Sequence, residues 1–217
     1  MRLALAIPFL LVLPAQAQVA VDVELVLLAD VSASIDDDEY ALQKAGYAKA
    51  FRSPDLLEAI RSGINGRIAV TYVEWDKQPR QIVGWSLVDG PDSAARFADG
   101  IMAAERHATL GSTGVASALA AAAALLDNGY DGLRRVVDVS GDGAENTGAD
   151  AAAARDAALG GGVSAINGIV VGTEAAPREF YYADVVGGGR SFLMVTDDYR
   201  DFEDAIRRKL VLEIAAR

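Results

Sequence analysis

The sequence contains no cysteine and only one histidine, His107, and these absences exclude several kinds of functional site. Without thiolates the chain has no disulfide framework, no iron–sulfur cluster, no cysteine nucleophile and no cysteine-ligated zinc. One histidine is also too few for a histidine-rich metal centre. Any metal binding or acid–base chemistry must therefore rely on oxygen atoms.

Basic residues are also scarce, because 20 Lys and Arg stand against 31 Asp and Glu, which gives a formal charge of −11 at pH 7. Such a chain repels nucleic acids and anionic lipid surfaces, so we expect no nucleic-acid partner. A hydrophobic content of 52% with 24% charged residues is typical of a globular protein. No apolar run after the first residues approaches the roughly 20 residues of a membrane-spanning helix, so we expect no stable membrane insertion.

The first 17 residues are typical of an export signal. Arg2 supplies the positive start, Leu3–Leu13 the apolar core, and Ala15-Gln16-Ala17 a small-x-small cleavage site. We expect cleavage after Ala17, a single domain over residues 18–217, and a periplasmic or secreted product. The alternative is an uncleaved anchor or a buried first strand.

Strand and helix patterns alternate along the rest of the chain. Val21–Ala29 is a nearly continuous apolar run, as in strands buried on both faces, and an amphipathic helix follows over Asp38–Phe51. A hairpin across Asp76–Arg80 predicts one antiparallel edge strand. The alternation predicts an α/β fold with a doubly wound, mostly parallel sheet and helices on both faces. Ligands of such sheets bind beyond the carboxyl ends of the strands.

Oxygen-bearing side chains follow the predicted strands. Asp30 comes at the end of the first strand, with Ser32 and Ser34 two and four residues later. Thr113 lies in a glycine-containing loop before a mid-chain helix, and Asp142 follows a later strand. An all-oxygen set with few charges suits Mg²⁺, with Mn²⁺ or Ca²⁺ as alternatives. These five residues are the predicted metal site.

This pattern resembles the von Willebrand factor type A (VWA) domain over about residues 20–215. The Asp30-x-Ser32-x-Ser34 segment, Thr113 and Asp142 are similar to that family's metal-ion-dependent adhesion site (MIDAS). The resemblance is closest to bacterial proteins that consist of a signal peptide and this domain alone. It implies a Rossmann-like VWA fold in which Ser32 and Ser34 ligate the metal directly, Thr113 directly or through water, and both aspartates mainly through water.

The resemblance implies a metal-dependent, adhesion-type protein-binding module and not an enzyme. Two carboxylates with neutral hydroxyls leave Mg²⁺ electrophilic, so an acidic residue of a protein partner could complete its coordination. One alternative is a metal-dependent phosphohydrolase using Asp30, but such enzymes need a second acid at the position of Ser32. The other alternative is a scaffold whose metal is purely structural.

Two acidic segments beside the predicted site allow two interpretations each. Residues 36–39 favour capping of the first helix, with a second, calcium-type site near Asp37 and Asp38 as the alternative. Glu145 and Asn146 favour solvated loop residues that cap the next helix, with a partner-selecting rim as the alternative.

Two further polar positions depart from what is expected. Ser140-Gly141 precedes Asp142 where the VWA family more often has a threonine. The resemblance therefore does not predict which groups support Asp142. Asp138 lies within an apolar strand, and the sequence offers no explanation for it.

Overall fold

Seven strands form one mixed sheet in the computed structural model, which describes residues 18–107 and 111–216. The predicted signal peptide, residues 1–17, lies outside the described residues. The strands are β1 (Val19–Asp30), β2 (Ile68–Trp75), β3 (Arg80–Val88), β4 (Tyr130–Gly141), β5 (Ala165–Val171), β6 (Gly187–Gly188) and β7 (Leu193–Thr196).

Seven α-helices cover the sheet within the described ranges. They are α1 (Asp37–Phe51), α2 (Pro54–Arg61), α3 (Pro91–Ala103), α4 (Val115–Leu125), α5 (Ala151–Gly160), α6 (Ala175–Phe180) and α7 (Phe202–Ala215). A π-helical turn over Tyr181–Val185 follows α6, and a 3-10 turn over Tyr199–Asp201 precedes α7. None of these helices is long and apolar enough to cross a membrane.

The strand order β3-β2-β1-β4-β5 places the first strand at the centre of the sheet. The chain leaves β1 on one side through β2 and returns on the other through β4, so the order reverses between β1 and β4. Both pairings of β1 are parallel, as are those of β5 with β4 and with β7, whereas β3 pairs antiparallel at one edge. The predicted doubly wound α/β architecture is confirmed. A short antiparallel pairing of β6 with β5 is an addition to it.

The sheet separates two hydrophobic cores, and alternate residues of β1 face each of them. Leu25 and Leu27 pack in the core that includes α1, α2, α3 and α7, whereas Val26 and Leu28 pack in the core that includes α4 and α5. All residues of β1 from Val21 onward are buried, because helices cover both faces.

Asp138 is part of a fully buried ionic cluster between β4 and α7. Lys209 Nζ lies 2.6 Å from Asp138 Oδ1 and 2.5 Å from Glu213 Oε1, and all three side chains are shielded from solvent. Burial, together with the neighbouring charge of Asp138, raises the pKa of Glu213 to about 8. The apolar strand therefore carries an aspartate because a lysine 71 residues later is its partner.

Candidate metal centre

The five residues predicted to hold a metal meet at the carboxyl ends of β1 and β4. Ala29 is paired with Ser140 across these central strands, so Asp30 at the end of β1 lies alongside Gly141 at the end of β4. The strand order reverses between these two strands, which is where open α/β sheets bind ligands. α4 begins at Val115, so Thr113 lies in the preceding loop and reaches the same place.

A chain of hydrogen bonds connects the predicted side chains. The backbone N–H of Ser32 donates to Asp30 Oδ1 at 2.8 Å, and the hydroxyls of Ser32 and Ser34 lie 3.3 Å apart. The Ser34 hydroxyl donates to Asp142 Oδ1 at 2.7 Å. Thr113 Oγ1 donates to the Ser32 hydroxyl at 3.5 Å. The structure thus brings all five side chains together from three separate loops.

Asp30 is the most buried acid of this group, and its electrostatics are unusual. Its side chain is fully buried, which raises its pKa to about 7 despite the hydrogen bonds from Ser32. The charges of Asp142 and Asp76 contribute to this increase in the pKa. Its Oδ2 atom is buried and has no hydrogen-bond partner within the described part of the chain. A buried carboxylate oxygen without a partner is costly, and a nearby cation would offset that cost.

Asp142 and Ser34 face solvent, in contrast to Asp30. Ser34 is exposed and Asp142 is half-buried, and partial burial raises the pKa of Asp142. Both residues line an open cleft of about 400 Å³ between the β5 and β7 ends of the sheet and α1. Four more acids line this cleft, namely Glu39, Glu174, Asp197 and Asp198. The predicted site is therefore reachable from outside and lies in strongly negative surroundings.

Arg106 and Gln43 hold the Asp30–Ser34 loop in place, and the sequence analysis missed both. The Arg106 guanidinium donates to the carbonyl oxygen of Ile35 at 2.6 Å and pairs with Asp37 at 2.9 Å. Gln43 Nε2 donates to the carbonyl oxygen of Asp30 at 2.8 Å. No local pattern marks either residue, because each acts across 13 to 71 positions of sequence.

The acidic residues before α1 cap that helix. Asp36 accepts a hydrogen bond from the backbone of Glu39, and the Glu39 side chain accepts one from the backbone of Asp36, which is a complete capping box. Asp37 pairs with Arg106. These contacts agree with the capping interpretation of residues 36–39.

Glu145 and Asn146 fix the Thr113 loop. Asn146 Oδ1 accepts the backbone N–H of Thr113 at 2.8 Å, and its Nδ2 donates to Thr113 Oγ1 at 3.4 Å. Glu145 Oε2 accepts the backbone N–H of Ala116 in the first turn of α4. The expectation that these residues cap the next helix is wrong, because the loop folds back over α4 and Asp150 caps α5.

Ser140 lies behind the site and braces it from the other face of the sheet. Its hydroxyl donates to Gln43 Oε1 at 2.9 Å and accepts a hydrogen bond from the Tyr47 hydroxyl at 3.0 Å. Gln43 in turn holds the carbonyl of Asp30. The serine that departs from the family pattern therefore links β4 to α1 and does not reach the metal side.

The donor set is poor in carboxylates, and this limits its chemistry. Within residues 18–107 and 111–216, no group of three or more His, Asp or Glu side chains is placed to hold a metal. Hydroxyl and carboxylate oxygens are hard donors that suit Mg²⁺, which usually retains water ligands. The orphaned Oδ2 of Asp30 and the three clustered hydroxyls fit such an ion.

The sequence matches a family of unknown function over most of its length. A family model described as "Protein of unknown function (DUF1194)" matches residues 20–217. No curated protein matches the sequence.

Three solved structures share the fold at low sequence identity. Proximal thread matrix protein 1 from the mussel byssus, with zinc in its MIDAS motif, is 17% identical over 91% of this chain and 49% of its own, with a TM-score of 0.67. The von Willebrand factor type A protein from Catenulispora acidiphila is 14% identical over 90% and 43%, with a TM-score of 0.63. The pilus adhesin SpaC from Lactobacillus rhamnosus GG is 10% identical over 92% and 31%, with a TM-score of 0.64.

This chain spans about half the length of the mussel protein and less of the other two. The three similarities show that the described chain has the VWA fold, as its sequence predicted.

Proposed function

Because this chain belongs to the DUF1194 family and has the VWA fold, we propose that it is a metal-dependent protein-binding module that works outside the cytoplasm. A divalent cation held by Asp30, Ser32, Ser34, Thr113 and Asp142 would capture a carboxylate of a partner protein. The single observation that carries this proposal is the hydrogen-bonded cluster of these five residues, which includes the fully buried side chain of Asp30.

The residues of the site divide into two roles. Ser32, Ser34 and Thr113 offer neutral hydroxyl oxygens to the ion, while Asp30 and Asp142 supply the negative charge. When bound, the cation supplies a Lewis acid that is not fully neutralised by these donors and therefore attracts a further anion. We propose Mg²⁺, with Mn²⁺ and Ca²⁺ as alternatives, because all the donors are oxygens.

The surroundings of the site support a role for the cation in making the binding of acidic partners depend on metal. Without a cation, the acids that line the adjoining cleft repel a carboxylate. With a cation beside the exposed Ser34, the same entrance attracts it. A purely structural ion would not need an open position, whereas Ser34 and Asp142 both line the open cleft.

The burial of Asp30 argues against the phosphohydrolase alternative. A nucleophilic aspartate must reach the phosphorus atom of its substrate, but the Asp30 side chain has no solvent exposure. Ser32 occupies the position where such an enzyme needs its second acid. These features support a binding site without catalysis.

Export of the protein is the second part of the proposal. We expect the chain in the periplasm or the medium to lack residues 1–17, because a small-x-small site ends at Ala17. Intact-mass spectrometry of the protein recovered from these fractions checks this. A mass that still includes the first 17 residues would contradict cleavage.

Chelation tests the binding function. We expect the immobilised protein to retain a specific partner from periplasmic extract in the presence of Mg²⁺, to release it in EDTA and to bind it again when Mg²⁺ returns. Replacing the captured partner's contacting acid by its amide should abolish retention. The Asp30→Asn variant, immobilised in parallel, provides the control for metal-independent adsorption. Retention that EDTA leaves unchanged contradicts the proposed function.

A further inference from the structure

Two buried polar atoms face one another across Gly141 without hydrogen-bond partners. One is Asp30 Oδ2 and the other is the hydroxyl of Tyr181, and neither has a partner among the residues that the structure describes. A Cβ atom on Gly141 would lie 2.7 Å from Asp30 Oδ2 and 2.5 Å from the Tyr181 hydroxyl. The two atoms therefore border the same small space, which exists because residue 141 has no side chain.

The topology of the sheet explains how a tyrosine from a distant segment reaches this point. Ala29 and Ser140 face the α1 side of the sheet, so the next residues, Asp30 and Gly141, face the opposite side. Tyr181 belongs to the core on that opposite side. Its hydroxyl thus approaches Asp30 from the face of the sheet that α4 and α5 cover.

The ring of Tyr181 is firmly held, so its hydroxyl has a defined position. The residue is fully buried, and its ring packs edge-to-face on Phe180 with centroids 5.8 Å apart. It also packs against Gly168 of β5, where an added Cβ would lie 3.2 Å from its Cδ1 atom. Tyr181 opens the π-helical turn Tyr181–Val185, an irregular element that is frequent at functional sites.

We propose that Tyr181 is a positioning residue for the metal centre. On metal binding its hydroxyl donates a hydrogen bond to Asp30 Oδ2 that it does not make in this structure, and it thereby orients the Asp30 carboxylate toward the ion. A tyrosine is suited to this role because it is a neutral donor that adds no charge to the buried site. This inference rests on the proposed function, since it assigns a role within the same site.

The Tyr181→Phe substitution tests the inference, because it removes only the hydroxyl. Partners that orient metal ligands typically contribute 10- to 100-fold to metal affinity, so we expect Mg²⁺ to bind about tenfold more weakly to this variant by calorimetry. The melting temperature of Tyr181→Phe without metal should not fall, because the substitution removes a buried hydroxyl that makes no hydrogen bond within the described residues. Tyr72→Phe is the matched control, because Tyr72 is also buried and its hydroxyl has no hydrogen-bond partner among the described residues. The Mg²⁺ affinity of this control should equal that of the wild type.

A spectroscopic measurement separates positioning from a general structural effect. Addition of Mg²⁺ should change the near-ultraviolet absorption of tyrosine in the wild type and in Tyr72→Phe, and this change should be reduced in Tyr181→Phe. Equal Mg²⁺ affinity in Tyr181→Phe and the wild type would overturn the role of Tyr181 while leaving the proposed function in place. No Mg²⁺ binding by the wild type would instead overturn the proposed function and, with it, this inference.

Discussion

Replacement of Asp30 by asparagine is expected to weaken Mg²⁺ binding by about a hundredfold or more, because it removes one of the two charges of the site. The fold should remain intact. Asparagine keeps an oxygen that can accept the 2.8 Å hydrogen bond from the Ser32 backbone, and it has no buried charge. The apo protein should therefore melt at the same temperature as the wild type or slightly above it.

Calorimetric titration of Mg²⁺ and thermal melting with and without Mg²⁺ together check this prediction. A bound ion stabilises the folded state by mass action, by about 2.7 kcal/mol at a concentration a hundred times its Kd. The wild type should show this gain, and Asp30→Asn should not. Asp99→Asn is the matched control, since Asp99 is exposed and pairs with Arg52 outside the predicted ligand set. Equal Mg²⁺ affinity in Asp30→Asn and the wild type would remove Asp30 from the site.

The stability of the apo protein is expected to fall as the pH rises from about 5 to about 8, and Glu213 is expected to be a principal cause. Its pKa is raised by burial from 4.5 to about 8, so the folded state binds a proton that the unfolded state has already released. The contribution of Glu213 to the free energy of unfolding is fully present below pH 4.5 and is lost as the pH rises through 8.

The physical reason lies in the balance of charge around Lys209. With Glu213 protonated, the single positive charge of Lys209 neutralises Asp138, and the cluster carries no net charge. Above pH 8 the cluster has two buried carboxylates for one ammonium group. Asn167 and Tyr47 also face this group, and neither supplies a positive charge. The Arg134 guanidinium donates to the backbone carbonyl of Glu213 at 2.8 Å and is the other positive charge near this residue.

The Glu213→Gln substitution should remove this pH dependence. Between pH 6 and pH 8 we expect the wild type to lose roughly 2 kcal/mol more of its unfolding free energy than this variant. Denaturant titrations in EDTA measure the difference, and the contribution of Asp30 is common to both proteins. Glu203→Gln is the control on the same helix, because Glu203 forms an exposed ion pair with Lys49. Parallel pH profiles for the wild type and Glu213→Gln would falsify the assignment.

The fold could be predicted from the sequence, and the five residues of the candidate site could be proposed from it, because their signals are local. The alternation of buried strands and amphipathic helices reports secondary structure directly, and the i, i+2, i+4 spacing of Asp30, Ser32 and Ser34 marks a loop of oxygens. Thr113 and Asp142 were found because each follows or precedes a recognisable element. The family resemblance indicated that these loops form one site.

The supporting residues could not be predicted because their partners are distant in sequence. The role of Asp138 depends on Lys209, and that of Arg106 depends on the carbonyl of Ile35 and on Asp37. Tyr181 lies in a π-helical turn, and the sequence does not indicate that its hydroxyl and Asp30 both border Gly141. Side-chain contacts across the sheet depend on the register between neighbouring strands. The pattern of apolar residues does not specify that register.

A crystal grown with Mn²⁺ in place of Mg²⁺ tests the central claim most directly, because Mn²⁺ is located by its anomalous scattering. We predict a single strong anomalous peak enclosed by the oxygens of Ser32, Ser34 and Thr113, with Asp30 and Asp142 beside it. A crystal in which this position has no peak, and in which Ser34 still donates its 2.7 Å hydrogen bond to Asp142, would contradict the account.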